Sequence, residues 1–108
     1  MKADLHNHSY YSDGVLSPTE VVQLASQAEC DLFSLTDHDT TDGIAEAQLE
    51  ADKLNLSLIN GVEISAFWRN MAIHILGLGI DINNDILQTG LEHNQKLRKE
   101  RAEKIALG

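Results

Sequence analysis

The sequence predicts an α/β fold whose strands are largely parallel, in a sheet or a barrel wall. Two observations predict it: apolar strand-like runs alternate with amphipathic helical runs, and polar clusters fall where the strands should end. A third sets the scale. The 108 residues allow one domain with a modest core, and no repeat, low-complexity stretch or Pro/Ser/Gly linker divides them.

Residues 2–6 are a short mixed run that reads as a strand. Ser17-Pro18-Thr19-Glu20 is a helix start, with Ser as N-cap, Pro at the first helical position and Glu at the third. Val21, Val22, Leu24, Ala25 and Ala28 then form a stripe that predicts helix to about Glu29. Leu32 to Thr36 predicts a short buried strand running into Asp37-His38-Asp39. A second helix is expected from Thr41 or Asp42 to Leu54, with Ile44, Ala47, Ala51 and Leu54 inward. Residues 56–64 and 67–78 read as strands, and a long helix is expected from Asn83 or Asn84. Leu87, Leu91, Leu97 and Ile105 recur on one side of that helix, with nothing after Gly108 to receive them. The expectation is therefore either a cut chain or one that borrows a partner.

A hydrophobic content of 43% and a charged content of 23% fit an ordinary soluble globular protein. No apolar run is long enough for a bilayer, and the N-terminus lacks a basic-then-apolar signal pattern. The expected compartment is the cytoplasm, with no membrane partner. Cys30 is alone, which excludes an intrachain disulfide and favours a structural thiol over a nucleophile. The net charge is −9, and five of the eight basic residues crowd the last 13 positions. Residues 1–95 thus carry three basic and 15 acidic residues. Such a surface does not attract nucleic acid by generic electrostatics, but it suits a site for divalent cations.

Four polar clusters carry the chemistry. In Asp4-Leu5-His6-Asn7-His8, two His at i and i+2 on an extended segment project to one side, so both imidazoles can reach one metal. Asp13 follows a loop closed by Gly14 and can return a carboxylate to the same cavity. A lone His-x-His is weak evidence, and two polar residues at a strand end is the plainer reading of it. In Thr36-Asp37-His38-Asp39-Thr40, two carboxylates flank an imidazole after an apolar strand, which is costly unless something positive compensates. His38 reads as a ligand and Asp39 as structural, while Asp37 is open between supporting a ligand and closing the turn. Glu63 lies within an apolar strand pattern, where it must meet a buried base or bridge metals. His74, in Ala72-Ile73-His74-Ile75-Leu76, reads by itself as a satisfied core histidine, and His93 as a surface residue. His6, His8, Asp37, His38 and Glu63 are all expected at C-terminal strand ends, where barrel enzymes place their chemistry.

Taken in order, Asp4-Leu5-His6-Asn7-His8-Ser9 with Ser12-Asp13-Gly14, Thr36 to Thr40, Gly61-Val62-Glu63-Ile64-Ser65 and His74 resemble the successive motifs of the PHP (polymerase and histidinol phosphatase) phosphoesterases. Four matches in order are far more specific than one. Within that family, Ser12 to Pro18 and Thr36 to Ile44 are similar to the bacterial nucleoside 3′,5′-bisphosphate phosphatases, which also act as 5′→3′ exonucleases on short RNA. The resemblance implies that residues 1–108 are the N-terminal part of a distorted (β/α)7 PHP barrel with up to three divalent metals. By resemblance, His6 and His8 hold the first metal, Glu63 bridges it to a second shared with His74, and Asp13 and His38 bind the third. The resemblance thus reverses the reading of His74. Asp4, Asp37 and Asp39 are expected to support these ligands, and Glu63, His8 and His38 to be catalytic. The family's later His, its C-terminal Asp-x-His pair and its later phosphate-gripping basic residues have no counterpart in this chain.

The implied reaction is hydrolysis of a phosphate monoester by a metal-bridging hydroxide. Mixed imidazole and carboxylate ligands favour Mn²⁺, with Zn²⁺ or Fe²⁺ as alternatives. The expected substrate is a small nucleotide or short 5′-phosphorylated RNA, and a homodimer is one way to cover exposed barrel edges. Two rival readings stand beside this one. The first is a PHP remnant that binds metal or serves structure without catalysis. The second is an amidohydrolase-type metal hydrolase, which also opens with His-x-His; Asp13, the Thr-Asp-His-Asp turn and Glu63 argue against it.

Overall fold

A computed structural model describes residues 1–69 and 71–107, with backbone alone at 67, 68 and 104–107. Ile105, expected on the inner side of the last helix, lies outside the described side chains. In chain order the elements are β1 (Ala3–Asn7), α1 (Pro18–Gln27), β2 (Leu32–Leu35), α2 (Ile44–Lys53), β3 (Ser57–Leu58), β4 (Gly61–Trp68), β5 (Met71–Leu78) and α3 (Asp85–Leu107).

The start of α1 is the capping box that the sequence predicts. Ser17 Oγ accepts from the Glu20 amide at 3.1 Å, and Glu20 Oε1 accepts from the Ser17 amide at 3.2 Å. Both α1 and α2 stop by the same device, a residue in the left-handed region: Glu29 at φ 61° and Asn55 at φ 56°. The next amide then reaches back to the helix, Cys30 N–H to Ala25 O at 3.1 Å and Leu56 N–H to Ala51 O at 2.9 Å. Those bonds satisfy carbonyls that the helix end leaves open and turn the chain toward the sheet.

β1, β2 and β3 form a parallel sheet in that order, with β2 central. Val22 and Ala25 of α1, Ala47 and Ala51 of α2, Phe33 and Leu35 of β2, and Leu56 make the core, with Cys30 partly buried against it. The inward face of α1 is narrower than expected, since Ala28 is exposed and Leu24 is 52% exposed. Leu24 sits one residue from Ala25, about 100° around the helix, on the side away from α2 and the sheet. Leu54 also departs from expectation, being exposed at the C-cap of α2.

The expected strand over 56–64 is two strands in different sheets. β3 ends its pairing where Ile59 N–H meets Phe33 O at 2.9 Å. The chain then enters an antiparallel hairpin of β4 and β5, in register from Gly61 opposite Leu78 to Trp68 opposite Met71. The expected strand over 67–78 is the end of β4 and the whole of β5, reversed at Arg69, whose φ is 50°. Gly61 permits the crossing, because a Cβ there would collide with Ser34 Oγ and come within 2.7 Å of Thr36 Cγ2.

The hairpin joins the parallel sheet at one point. Glu63 N–H donates to Asp37 O at 3.0 Å and Asp39 N–H donates to Glu63 O at 2.9 Å, a single parallel bridge at His38 and Glu63. Glu63 is therefore the third residue of β4 rather than its C-terminal end. It is level with the end of β2 because β4 begins where β2 stops. Among the described residues no helix is long and apolar enough to cross a membrane.

Candidate metal centre

The end of β1 sorts its side chains by alternation. Asn7 turns toward the sheet, its amide donating to Asp4 Oδ1 at 3.0 Å and Ser34 O at 3.2 Å. His6 and His8, on either side of it, therefore share the other face, with ring centroids 5.1 Å apart. The Asp4 carboxylate, expected to support the ligands, accepts from Asn7, the residue between His6 and His8.

Glu63 is the centre of the cluster. It is 6% exposed and its carboxylate meets four imidazoles. Oε1 contacts His6 Nε2 and lies 3.2 Å from His8 Nε2, while Oε2 lies 2.9 Å from His38 Nδ1 and 3.0 Å from His74 Nδ1. His74 arrives from β5, where it stands opposite Ser65, two residues from Leu76, the partner of Glu63. Its side chain is half exposed, so it is not a core histidine.

Asp13 closes the other side. Its Oδ1 lies 2.5 Å from His8 Nδ1, and its Oδ2 lies 3.1 Å from His38 Nε2. The loop that carries it is tied down by Asp37, which is 2% exposed. Asp37 accepts from Ser9 N–H at 2.6 Å, Ser9 Oγ at 2.7 Å and Ser12 Oγ at 2.7 Å. Gly14 lets the loop fold back, since a Cβ there would come within 2.5 Å of the His8 carbonyl oxygen. Asp39 points the opposite way, into α3, where Asn94 and Arg98 meet its carboxylate.

Three sets of donor atoms result, each within 4.8 Å: His6, His8 and Glu63; His8, Asp13 and His38; and His38, Glu63 and His74. Each pair of sets shares one residue, namely His8, His38 or Glu63. The donors fit divalent cations. His38 Nδ1 is a buried nitrogen that makes no hydrogen bond despite standing 2.9 Å from Glu63 Oε2. A position between such atoms suits a cation better than a proton. Burial acts to raise the Glu63 carboxyl, but hydrogen bonds from His6 and His8 and the charge of His38 outweigh it and hold the pKa below the ordinary 4.5. Asp13 behaves alike: burial raises it, and the His8 hydrogen bond with the charges of His8 and His38 lowers it further. Both carboxylates are therefore ionised near neutral pH, as metal ligation requires.

The site also draws on residues that sequence reasoning did not single out. Asn7, Ser9 and Ser12 bind Asp4, Ser34 and Asp37 from inside the quoted motifs. Asn94, Gln95 and Arg98 bind Asp39 from α3, where the i, i+4 spacing of Asn94 and Arg98 on one helix face was the available signal. Two clefts of about 330 Å³ each flank the cluster. One is lined by Tyr11, His38, Thr40, Gln95 and Arg98, and the other, between the hairpin and α3, by Ser65, His74, Asn94 and Leu97.

Known proteins are similar to this chain in sequence and fold. The chain is 45% identical over 102 residues to a 3′,5′-nucleoside bisphosphate phosphatase from Chromobacterium violaceum, covering 94% of this chain and 36% of the relative. It is 45% identical over 104 residues to a 5′-3′ exoribonuclease from Haemophilus influenzae, covering 96% and 38%. The solved structure of an amidohydrolase from Chromobacterium violaceum, holding sulfate and no metal, superposes with a TM-score of 0.92 at 44% identity, over 96% of this chain and 37% of that one. The chain thus spans somewhat more than a third of the length of these relatives. The family profile described as the PHP domain matches residues 4–104, from the strand that carries His6 through most of α3, and this chain belongs to the PHP domain family.

Proposed function

We propose that residues 1–108 are the N-terminal part of a PHP domain and carry the metal-binding face of a phosphoesterase that hydrolyses phosphate monoesters of nucleotides. The observation that carries this reading is Glu63, a carboxylate at 6% exposure whose ion-pair partners among the described residues are all imidazoles. A buried carboxylate among four imidazoles is costly without positive charge to meet it and favourable with a bound cation.

In this reading His6 and His8 would hold one ion with Glu63, Glu63 and His74 a second, and Asp13 and His38 a third. Glu63, whose two oxygens face different imidazoles, would be the carboxylate shared between ions, and Glu63, His8 and His38, which stand in two sets each, are assigned the catalytic roles. Divalent ions bound there would lower the pKa of coordinated water and neutralise phosphoryl oxygens. Asp13 and Glu63 supply fixed negative charge, and Asp13 orients the His8 ring through Nδ1, leaving Nε2 toward the cluster. The mixed imidazole and carboxylate donors favour Mn²⁺, with Zn²⁺ or Fe²⁺ as alternatives. The names of the relatives support a nucleoside 3′,5′-bisphosphate or RNA as substrate; the acidic surface favours a short 5′-phosphorylated RNA over a long one, and the cytoplasm is the proposed location.

The test combines metal content by elemental mass spectrometry with phosphate release from a nucleoside 3′,5′-bisphosphate. Two or three ions per chain with phosphate release support the reading. Bound ions without turnover favour a non-catalytic metal module, and near-zero metal removes the reading for this chain. The amidohydrolase name of one structural relative keeps amide hydrolysis as a second reading. Ring-opening of a dihydropyrimidine-type substrate, without phosphate release, would favour it.

A further inference from the structure

Asp39 occupies a conformation that few residues other than glycine adopt, with φ at 54° and no exposed surface. Such a conformation persists only when its surroundings hold it. Every polar group of Asp39 is engaged. Its N–H donates to Glu63 O at 2.9 Å, and its carbonyl accepts from Gln95 Nε2 at 2.6 Å. Oδ1 accepts from Ser65 N–H at 2.9 Å and from Asn94 Nδ2 at 2.9 Å, while Oδ2 pairs with Arg98 Nη1 at 3.2 Å. Asn94 Nδ2 also donates to Ser65 O at 2.9 Å. Three residues of α3 thus grip one aspartate, and that aspartate is bonded to Glu63 on one side and is the chain neighbour of His38 on the other. His38 and Glu63 are two of the three residues that the donor sets share, and their strands meet at only a single bridge.

We infer that Asp39 is a positioning residue, through which α3 sets the separation of His38 and Glu63 and hence the cation affinity of the cluster. The inference rests on the metal-binding reading above but goes beyond it. It assigns a role to a residue that touches no ligand atom, and it makes the last helix part of the metal site. The physical reason is leverage: Asp39 is one peptide from His38 and one hydrogen bond from Glu63, so a change of its conformation moves both donors.

The test measures Mn²⁺ affinity by titration calorimetry on the full chain, with unfolding of the metal-free protein followed in parallel. Asp39→Asn keeps the shape but puts an amide donor against Arg98 on one side or against Asn94 and the Ser65 N–H on the other. It is expected to weaken Mn²⁺ binding about 10- to 100-fold, the range found for partners that orient metal ligands. Asn94→Ala removes one clamp and leaves Asp39 in place, with an expected loss of about 3- to 10-fold, a fraction of that range. Val22→Ala, in the core away from the cluster, is the control: it lowers the unfolding midpoint and leaves Mn²⁺ affinity unchanged. If both clamp variants lower the midpoint yet bind Mn²⁺ as the parent does, Asp39 is structural only and the inference is overturned alone. If the parent chain binds no Mn²⁺, the metal-binding reading falls and the inference with it.

Discussion

Glu63 concentrates the chemistry of this chain at the scale of one residue. Its two oxygens face two imidazoles each, so one substitution disturbs every proposed ion except that of the His8, Asp13 and His38 set. Changes to groups that merely orient metal ligands cost about 10- to 100-fold. Glu63→Gln, which keeps the shape and removes the charge, is expected to lower phosphate release by more than about 100-fold. It should also exceed the loss from His6→Ala, His8→Ala, His38→Ala or His74→Ala, measured as kcat/KM under one metal condition. Equal losses across the set would contradict the central position of Glu63.

Two elements carry predictions of their own. The Ser17 capping box closes the N-terminus of α1 and bonds Glu20 rather than any ligand residue, so Ser17→Ala is expected to cost about 1 kcal/mol of stability in urea denaturation without changing metal affinity. The docking of α3 depends on Asp39. Burial raises its carboxyl, but hydrogen bonds from Ser65, Asn94 and Arg98 bring the pKa below the ordinary 3.8. A carboxyl depressed in the folded state contributes stability that is fully present above its unfolded value and is lost as the pH falls through its folded value. Acid unfolding of the metal-free parent should therefore be steeper below about pH 4 than that of Asp39→Asn. Parallel curves for the two proteins would show that the clamp adds no such linkage.

For the whole molecule, charge and exposed edges decide what it meets. Fifteen acidic and three basic residues over 1–95 repel polyanions unless bound cations reverse the local sign. Long RNA is accordingly expected to bind weakly and with a shallow salt dependence in filter binding, while short 5′-phosphorylated oligonucleotides are hydrolysed. A steep salt slope on long RNA would contradict this. β5 leaves Met71, Ile75, Leu76 and Leu78 between 40% and 61% exposed on a strand with β4 as its one neighbour in the hairpin. An apolar strand edge of that kind is a template for pairing. Sedimentation equilibrium of the 108-residue chain is expected to show a concentration-dependent dimer; a monomer at all concentrations would remove a second copy as the cover.

Local patterns were legible where local physics decides. The Ser17 cap, the helix stripes through Val22, Ala25, Ala47 and Ala51, and the His-x-His at the end of β1 follow from spacing along one element. That His6, His8, Asp13, His38 and Glu63 could gather was likewise readable, from the loop closed by Gly14 and from charged groups set in or after apolar strands. The tertiary structure alone decided how they meet. The break between β3 and β4 depends on a clash at Gly61 with Ser34 and Thr36, residues distant in sequence. The sharing of His8, His38 and Glu63 among three donor sets depends on one parallel bridge between strands that the sequence separates. The role of α3 was hidden because Asn94, Gln95 and Arg98 look like ordinary solvated helix residues until Asp39 turns left-handed beneath them. Spacing along the chain determines which groups can share a face, and only packing between elements determines which faces confront each other.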